Sequence, residues 1–474
     1  MQNNKTKIVA TLGPASSSLD KITQLIQSGV NVFRLNFSHG SHDDHKINYE
    51  NIRFAAKEQN KIIGILLDLQ GPKIRVGKFI NNKITLHQEQ IFTLSCEDDV
   101  VGTDQLASVS YKNLYKDVTT GDFLLFDDGK LKAKVIKVIG KEIQTKIMVG
   151  GQLSNNKGIN IPTADLSVAA MTNKDIIDLA FGAKLGVDWV ALSFVRKHED
   201  LLLAKHYLSL NNSDAKLMAK IEKPSAVTNF DKILEVADGI MVARGDLGVE
   251  LSAQEVPMLQ KKIIRKARLA GKPVVTATQM LETMIDSPVP TRAEASDVAN
   301  AVFDGTDAIM LSAETAVGQY PIDAVKTMKR IASTVEKDEL YITRMQERQM
   351  HTEENTPDAV SFAACNLASS LKAKVMVCFS SSGATALRVA RNRIQTVVIA
   401  ISPKINSCQQ LSMSWGIHPI MSKDANDVTD MVSISETIIH KYKVAEINDR
   451  YVITAGVPFG QSGTTNVIRV EKLQ

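Results

Sequence analysis

The segment KLMAKIEKPSAVTNFDKILEVADGIMVAR, residues 216–244, contains two short apolar runs separated by a stretch that carries Lys, Asp and Glu. A short run without polar alternation is typical of a parallel strand buried on both faces, and the stretch between two such runs is typical of a crossover helix. The segment therefore predicts one βαβ unit.

The same rhythm occurs on both sides of this unit. Together the apolar runs number eight, three before residue 70 and five after residue 172. Eight such units predict an α/β fold, a (β/α)₈ barrel of the TIM type. The predicted strands are KIVATLG (7–13), VNVFRLNFS (30–38), IIGILLDL (62–69), WVALSF (189–194), KLMAKIE (216–222), GIMVAR (239–244), PVVTATQ (273–279) and AIMLSAE (308–314).

Two further regions depart from the barrel rhythm. Between Gln70 and Thr172, Gly- and Asn-rich turns separate alternating segments, which predicts a small inserted antiparallel β domain. The runs KVMVCFS, TVVIAIS and YVITAG predict a C-terminal open α/β sheet. The expected limits are 1–69 and 172–345 for the barrel, 70–171 for the inserted β domain and 346–474 for the C-terminal α/β domain.

The composition narrows the class of protein. With 474 residues, 44% hydrophobic and 23% charged, the chain resembles ordinary globular proteins of about three domains. A net charge of +4 gives no support for nucleic-acid binding, and four scattered cysteines indicate neither a disulfide framework nor a zinc knuckle. No apolar run is long enough for a signal peptide or a membrane span, so we expect a cytoplasmic protein.

Polar residues concentrate at the carboxyl ends of six predicted strands, where barrel active sites lie. Taken singly, each is better explained as a satisfied polar group at a strand end, but six strands that end this way together favour a site. They are Arg34, Asn36, Ser38, Asp68, Lys220, Glu222, Arg244, Asp246, Thr278, Gln279, Ser312 and Glu314.

Two of these residues, Glu222 and Asp246, are hard oxygen ligands on consecutive strands and are candidates to hold Mg²⁺ or Mn²⁺. Lys220 points to the same face as Glu222, and a fixed cation beside a metal suits a transferring phosphoryl group or an enolate. The alternative is a carboxylate pair neutralised by Lys220 and Arg244. Gly245 follows, where the backbone can approach an anion closely or merely form a tight turn.

A histidine cluster, HGSHDDH at 39–45, resembles a metal site, but Ser41 with Asp43 and Asp44 is typical of a helix N-terminus. No P-loop, Rossmann or protein-kinase motif is present, so any nucleotide must bind in another way.

Over nearly its whole length the chain resembles the pyruvate kinase family. The motifs that carry this resemblance are NFSHG (36–40), LDLQGPKIRVG (67–77), NNKGINIP (155–162), AKIEKP (219–224), MVARGDLGVE (241–250), TATQMLETM (276–284), PTRAEASDVANAVFDGTDAIMLSAETAVGQYP (290–321) and the C-terminal GTTNVIRV. The resemblance implies phosphoryl transfer from phosphoenolpyruvate to ADP, which yields pyruvate and ATP in the last step of glycolysis. It also implies that the insertion at 70–171 is a β-barrel lid and that the C-terminal domain at 346–474 serves regulation and oligomerisation.

The resemblance also implies residue roles. Glu222 and Asp246 would bind Mg²⁺, Lys220 would stabilise the phosphoryl group, and Arg34 would grip the substrate phosphate. The Gly245 and Asp246 backbone would receive the substrate carboxylate, and Thr278 would lie beside the enolate. Arg75 and Lys157 would contact the nucleotide. Such positioning and charge stabilisation are what phosphoryl transfer requires.

One departure concerns a monovalent cation. Many family members bind K⁺ with residues that match Asn36, Ser38, Asp68 and the backbone of Leu69, and have an acidic residue where this chain has Lys73. Leu69 and Gln70 also replace a Thr-Lys pair. The combination resembles the K⁺-independent branch, in which we expect the Lys73 ammonium to replace K⁺.

In the C-terminal region, the loop SSSGAT with Ser380, Ser381, Ser382, Gly383 and Thr385 precedes a helix that bears Arg388. The family binds phosphorylated effectors at the equivalent loop, whereas a plain turn with a Ser cap explains the sequence equally well. The family is usually tetrameric.

Two other functions stay open, a Mg²⁺-dependent enolate-forming lyase or aldolase and a catalytically silent metabolite sensor.

Overall fold

The computed structural model describes residues 4–97, 100–164, 166–347, 354–458 and 464–474. The chain begins with three strands and two helices, namely β1 (Lys7–Thr11), α1 (Leu19–Ser28), β2 (Val32–Asn36), α2 (His42–Glu58) and β3 (Gly64–Asp68). Ser41 caps α2 in a capping box with Asp44, which confirms the helix start predicted from the histidine-rich segment.

The insertion forms two sheets with a separate apolar core. Six strands pair in the order β11-β7-β8-β9-β5-β6, and β10 pairs with β4. One pair, β5 with β6, is parallel, which a period-two pattern cannot predict because it reports only which face is buried. The elements are β4 (Lys83–Leu86), β5 (Ile91–Ser95), β6 (Leu106–Ser108), α3 (Leu114–Asp117), β7 (Phe123–Phe126), β8 (Leu131–Ile139), β9 (Glu142–Val149), β10 (Gly151–Ser154) and β11 (Ile159–Asn160).

After the insertion the βα alternation resumes. Its elements are α4 (Asn173–Leu185), β12 (Trp189–Leu192), α5 (His198–Leu210), β13 (Lys216–Ile221), α6 (Pro224–Thr228), α7 (Phe230–Val236), β14 (Gly239–Ala243), α8 (Arg244–Glu250), α9 (Val256–Leu269), β15 (Val274–Ala277), a 3₁₀ helix (Glu282–Ile285), α10 (Arg292–Asp304), β16 (Ala308–Leu311), α11 (Ala313–Ala316), α12 (Pro321–Lys337) and α13 (Glu339–Glu347).

The eight predicted strands close into a parallel barrel in the order β1-β16-β15-β14-β13-β12-β3-β2, which confirms the TIM fold. Along each barrel strand, successive side chains point alternately into two apolar clusters. Val9, Leu66, Met218 and Met241 belong to one cluster, which fills the barrel, while their neighbours in sequence pack with the surrounding helices.

The C-terminal region is an open five-stranded sheet in the order β19-β18-β17-β20-β21. Four strands are parallel, and β21 runs antiparallel to β20. No helix among the described residues combines the length and the apolar composition of a membrane span. The elements are α14 (Thr356–Ser370), β17 (Val375–Phe379), α15 (Ala384–Ala390), β18 (Val397–Ser402), α16 (Ile405–Leu411), β19 (Ile417–Met421), α17 (Val428–Tyr442), β20 (Arg450–Gly456) and β21 (Thr465–Lys472).

Candidate active site

Strand alternation places several charged residues at the barrel mouth. Arg34, Asp68 and Lys220 each stand two positions after a residue of the interior cluster, so their side chains project to the same inner side. There they contact one another. Arg34 Nε lies 2.7 Å from Asp68 Oδ2, and Lys220 Nζ lies 3.2 Å from Asp68 Oδ1.

Lys220 is held by three oxygen-bearing side chains. Besides contacting Asp68, its Nζ lies 3.0 Å from Glu222 Oε1 and donates a 2.7 Å hydrogen bond to Ser193 Oγ. Burial lowers the pKa of Lys220, but the Asp68 and Glu222 carboxylates outweigh burial and raise the pKa above its ordinary value. The ammonium therefore remains charged in a fixed position.

Asp68 balances the two cations that flank it. Burial raises the pKa of Asp68, yet Lys220 and Arg34 overcome this effect and hold the pKa below its ordinary value. A fully enclosed carboxylate is stable in its charged form only with such partners. Arg34, Asp68 and Lys220 therefore form a single prearranged charge network.

Glu222 and Asp246 are the candidate metal ligands. Glu222 Oε2 accepts a 2.6 Å hydrogen bond from Phe194 N, and Oε1 has no partner in hydrogen-bond geometry. Burial raises the pKa of Glu222, Lys220 lowers it, and the negative charge of Asp246 raises it further, leaving the pKa above its ordinary value. Two carboxylates that repel each other in a buried site fit a divalent cation.

Within the described residues no cluster of three or more His, Cys, Asp or Glu side chains has the arrangement of a metal site. A metal at Glu222 and Asp246 would thus need substrate and water oxygens to complete its coordination, as Mg²⁺ commonly does. In the alternative, Lys220 and Arg244 neutralise this carboxylate pair. Lys220 does contact Glu222 at 3.0 Å, whereas Arg244 pairs with Asp297 at 2.7 Å.

Lys73 extends toward Asp246. Its Nζ lies 3.7 Å from Asp246 Oδ1 and 4.0 Å from Asp128 Oδ1 of the insertion. In the predicted monovalent-cation pocket, Asn36 Oδ1 accepts from Ser38 N at 3.2 Å, and the Leu69 carbonyl accepts from Ser193 Oγ at 2.6 Å. The ammonium of Lys73 thus lies between Asp246, a candidate metal ligand, and Asp128 of the insertion.

Thr278 and Gln279 form an unusual turn after β15. Both have positive φ angles, 65° and 54°, in a region that a β-branched residue such as threonine rarely adopts. Such residues cost about 1–3 kcal/mol each and occur most often at functional sites. Thr278 Oγ1 accepts a 2.9 Å hydrogen bond from Gly245 N, so this amide must exchange partners to receive a substrate carboxylate.

The predicted nucleotide contacts lie together in the insertion. The backbone of Arg75 forms an antiparallel β-bridge with Gly158, which follows Lys157. Arg75 Nη1 donates a 2.9 Å hydrogen bond to the Asn156 carbonyl. Lys157 Nζ lies 2.7 Å from Asp127 Oδ1. The insertion also reaches the barrel directly, because Asn160 Nδ2 donates a 2.7 Å hydrogen bond to Glu250 Oε1 at the end of α8.

Several polar groups of the C-terminal loop already form hydrogen bonds within the protein. Ser381 O accepts from Ser407 Oγ at 2.7 Å, and the buried Thr385 hydroxyl bonds Thr465 Oγ1 at 2.7 Å. Gly383 caps α15 with a φ of 84°, and Ser380 Oγ accepts from Thr385 N at 3.4 Å. Ser382 is exposed.

Sequence reasoning missed Ser193, Asp127, Asp128 and Glu250. Ser193 follows β12 just as Asp68 ends β3, so the strand-end rule could have identified it. Glu250 contacts Asn160 of the insertion, and Asp127 and Asp128 pair with Lys157 and Lys73, contacts between distant positions that no local pattern reveals.

The fold and the site define a class, a (β/α)₈-barrel enzyme whose mouth holds fixed cations beside paired carboxylates. The family model "Pyruvate kinase, barrel domain" matches residues 3–325, and "Pyruvate kinase, alpha/beta domain" matches residues 358–471. The chain belongs to the pyruvate kinase family.

Individual relatives agree over nearly the full length. The chain is 45% identical to a pyruvate kinase of Methylorubrum extorquens over 469 residues, covering 99% of this chain and 97% of the relative. It is 42% identical to one from Clostridium acetobutylicum, covering 99% of this chain and 100% of that protein. A crystal structure of a pyruvate kinase from Cryptosporidium parvum superposes with a TM-score of 0.93 at 33% identity, over 100% of this chain and 97% of the other.

These findings confirm the predicted fold and activity. The chain is a phosphotransferase with the pyruvate kinase activity, for which the family implies phosphoenolpyruvate and ADP as substrates. The family generally uses Mg²⁺ and K⁺. The lyase or aldolase and the silent sensor are correspondingly disfavoured.

Proposed function

We propose that Lys220 is the fixed cation that stabilises the phosphoryl group as it passes between phosphoenolpyruvate and ADP. The observation that carries this proposal is the position of Lys220 Nζ, within 3.2 Å of both Asp68 and Glu222 at the barrel mouth. A preorganised charge stabilises a developing anion without reorganising at the moment of reaction.

The neighbouring residues position the substrates in this proposal. Arg34, fixed by Asp68, grips the phosphate of phosphoenolpyruvate, and the amides of Gly245 and Asp246 receive its carboxylate. Thr278 lies beside the enolate that is subsequently protonated. Arg75 and Lys157 bind the nucleotide, and movement of the insertion excludes water from the bound substrates.

Glu222 and Asp246 would hold Mg²⁺ or Mn²⁺, a role supported by the repulsion between the buried carboxylate of Glu222 and the partly exposed carboxylate of Asp246. When bound, the ion neutralises charge on the phosphate oxygens. Lys220 and Arg34 supply the remaining positive charge from the chain itself.

We further propose that Lys73 makes the enzyme independent of K⁺. Its ammonium approaches the carboxylate of Asp246, so it adds a positive charge where the site is most acidic. Lysine is a compact point charge, and it therefore suits replacement of a monovalent ion better than arginine does.

The test is ADP-dependent pyruvate formation from phosphoenolpyruvate in buffer free of Na⁺ and K⁺. We expect the wild type to retain its activity when K⁺ is omitted. We expect Lys73→Glu to lose activity by about tenfold or more without K⁺ and to recover with it, since one reversed charge at 3.7 Å alters the site strongly. Lys137→Glu, on the exposed side of β8, is the charge-matched control. A strict K⁺ requirement of the wild type would contradict the role of Lys73.

We also propose that the C-terminal loop at Ser380–Thr385, a candidate effector site by sequence, binds a phosphorylated effector. A homotetrameric assembly is a separate proposal. The exposed Ser382 and the glycine-capped turn before α15 support the effector loop. A thermal-shift titration with a panel of phosphorylated sugars is expected to raise the melting temperature, and an unchanged melting temperature across the panel would favour a plain turn.

The domain limits at 69/70, 171/172 and 345/346 stay predictions.

A further inference from the structure

The side chain of Arg244 contacts the backbone of the turn that carries Thr278. Arg244, at the start of α8, is buried with a side-chain exposure of 10%. Its Nη2 lies within hydrogen-bond distance of two successive carbonyl oxygens, those of Thr278 at 2.8 Å and Gln279 at 3.0 Å, which share its two N–H groups with Asp297 and the Met280 sulfur. Thr278 and Gln279 are the two residues of the turn with positive φ, so one guanidinium nitrogen binds both peptide groups of the unfavourable turn.

The guanidinium is itself oriented by a carboxylate. Arg244 Nη1 lies 2.7 Å from Asp297 Oδ1, and Nη2 lies 2.7 Å from Asp297 Oδ2. A bidentate ion pair of this kind fixes the plane of the guanidinium as well as its position. Asp297 on α10 therefore determines where the two donors of Arg244 point.

The next residue along the chain completes the arrangement. Gly245 N donates to Thr278 Oγ1 at 2.9 Å, a bond that this amide exchanges when it receives the substrate carboxylate, whereas Arg244 holds the backbone of Thr278 independently of that exchange. A Cβ atom at position 245 would lie 3.1 Å from Thr278 Oγ1, which shows how closely the two segments approach. The Thr278 hydroxyl thus points toward the same turn that carries Asp246.

We infer that Arg244 is a positioning residue, which keeps Thr278 in its left-handed conformation and so directs the Thr278 hydroxyl at the reacting carbon of the substrate. Asp297 serves this arrangement by orienting Arg244. The inference rests on the role proposed above for Thr278. It adds to that role an explanation of how an unfavourable backbone conformation persists at the site.

The experiment is a double-mutant cycle between Arg244→Lys and Thr278→Ala. A lysine keeps the positive charge but cannot donate to both carbonyls and pair with Asp297 in one plane. We expect Arg244→Lys to lower kcat by about tenfold or more, because displacement of a reacting group by about 1 Å is costly, with KM for phosphoenolpyruvate changed less than about threefold. In the Thr278→Ala background the same change should lower kcat less than about twofold.

A second readout follows the proton directly. Exchange of the pyruvate methyl protons with D₂O, measured by NMR, reports the step that Thr278 serves, and it should slow in Arg244→Lys in parallel with kcat. Arg53→Lys is the matched control because Arg53 also contacts both oxygens of one carboxylate, Asp188, next to the first residues of the barrel strands. It should leave the exchange rate unchanged.

The outcomes separate the inference from the proposed function. An unchanged kcat in Thr278→Ala would contradict the role of Thr278 itself. A loss in Arg244→Lys that is equally large in the Thr278→Ala background would overturn the inference while leaving that role intact. If Arg244→Lys does not fold, Asp297→Asn replaces it in the cycle, since it loosens the guanidinium without removing it, and the same two results decide.

Discussion

At the residue scale, the barrel mouth follows from side-chain alternation. Arg34, Asp68 and Lys220 could be predicted because each stands two positions beyond an interior residue of its strand. The approach of Lys73 to Asp246 could not be predicted, because the segment after β3 has no periodicity that would fix a direction. Contacts made by loop residues depend on the packing of distant elements.

A partly buried histidine, His418, should make the stability of the protein dependent on pH. Burial lowers the pKa of the half-buried His418 to about 3, with Lys7 adding to the effect. Between pH 3 and 6.5 the unfolded chain therefore binds the proton and the folded chain does not, so the free energy of unfolding falls as the pH falls through 6.5. The slope is at most about 1.4 kcal/mol per pH unit.

Urea unfolding of the wild type and His418→Gln at pH 7 and pH 5 measures this effect. The variant should lose less stability than the wild type on acidification, while His206→Gln, at an exposed position of α5, should behave as the wild type does. Equal losses for all three proteins would show that His418 is protonated without cost.

At the element scale, all eight barrel strands and three strands of the C-terminal sheet were predictable as short apolar runs. The edge strands β19 and β21 were not. The first, IHPIM, is half-buried and contains a proline, and the second consists mostly of exposed and partly buried residues without regular alternation. Edge strands need less apolar surface than central strands, so their sequences carry a weaker signal.

The packing of α4 on β3 gives a prediction for Gly182. A Cβ at this position would lie 2.1 Å from Leu67 Cδ1, and Leu67 is fully enclosed in the barrel wall. Gly182→Ala should thus destabilise the protein by about 1–3 kcal/mol through overpacking, although alanine is the better helix former.

The matched experiment adds Leu67→Ala, which removes the clashing methyl group. In urea unfolding, the double variant should be more stable than the sum of the two single losses predicts. Additive losses would mean that the two positions do not contact each other as described.

At the scale of the whole molecule, the barrel and the C-terminal sheet are joined by a buried ion pair. Arg393 Nη2 lies 3.0 Å from Asp307 Oδ2, and Asp307 Oδ1 accepts a 3.0 Å hydrogen bond from Trp415 N. The partners are separated by 86 residues or more, so composition and periodicity could not predict this connection.

Asp307→Asn should therefore destabilise the protein by about 3–5 kcal/mol, because it leaves the fully buried Arg393 cation without a counterion. The urea midpoint measures the loss. Asp231→Asn, which removes an exposed pair with Lys266, should cost less than about 1 kcal/mol. Similar midpoints for the two variants would contradict the importance of the interdomain pair.

The central claim is that the Lys220 ammonium stabilises the transferring phosphoryl group. Its most direct test is kcat for ADP-dependent pyruvate formation by Lys220→Gln at saturating phosphoenolpyruvate, ADP and Mg²⁺, with folding verified by the melting temperature. The account predicts a decrease of about 10²–10³-fold, the usual effect of removing one preorganised electrostatic group. A kcat within about threefold of the wild type would contradict it, because so small a change leaves no such role for Lys220.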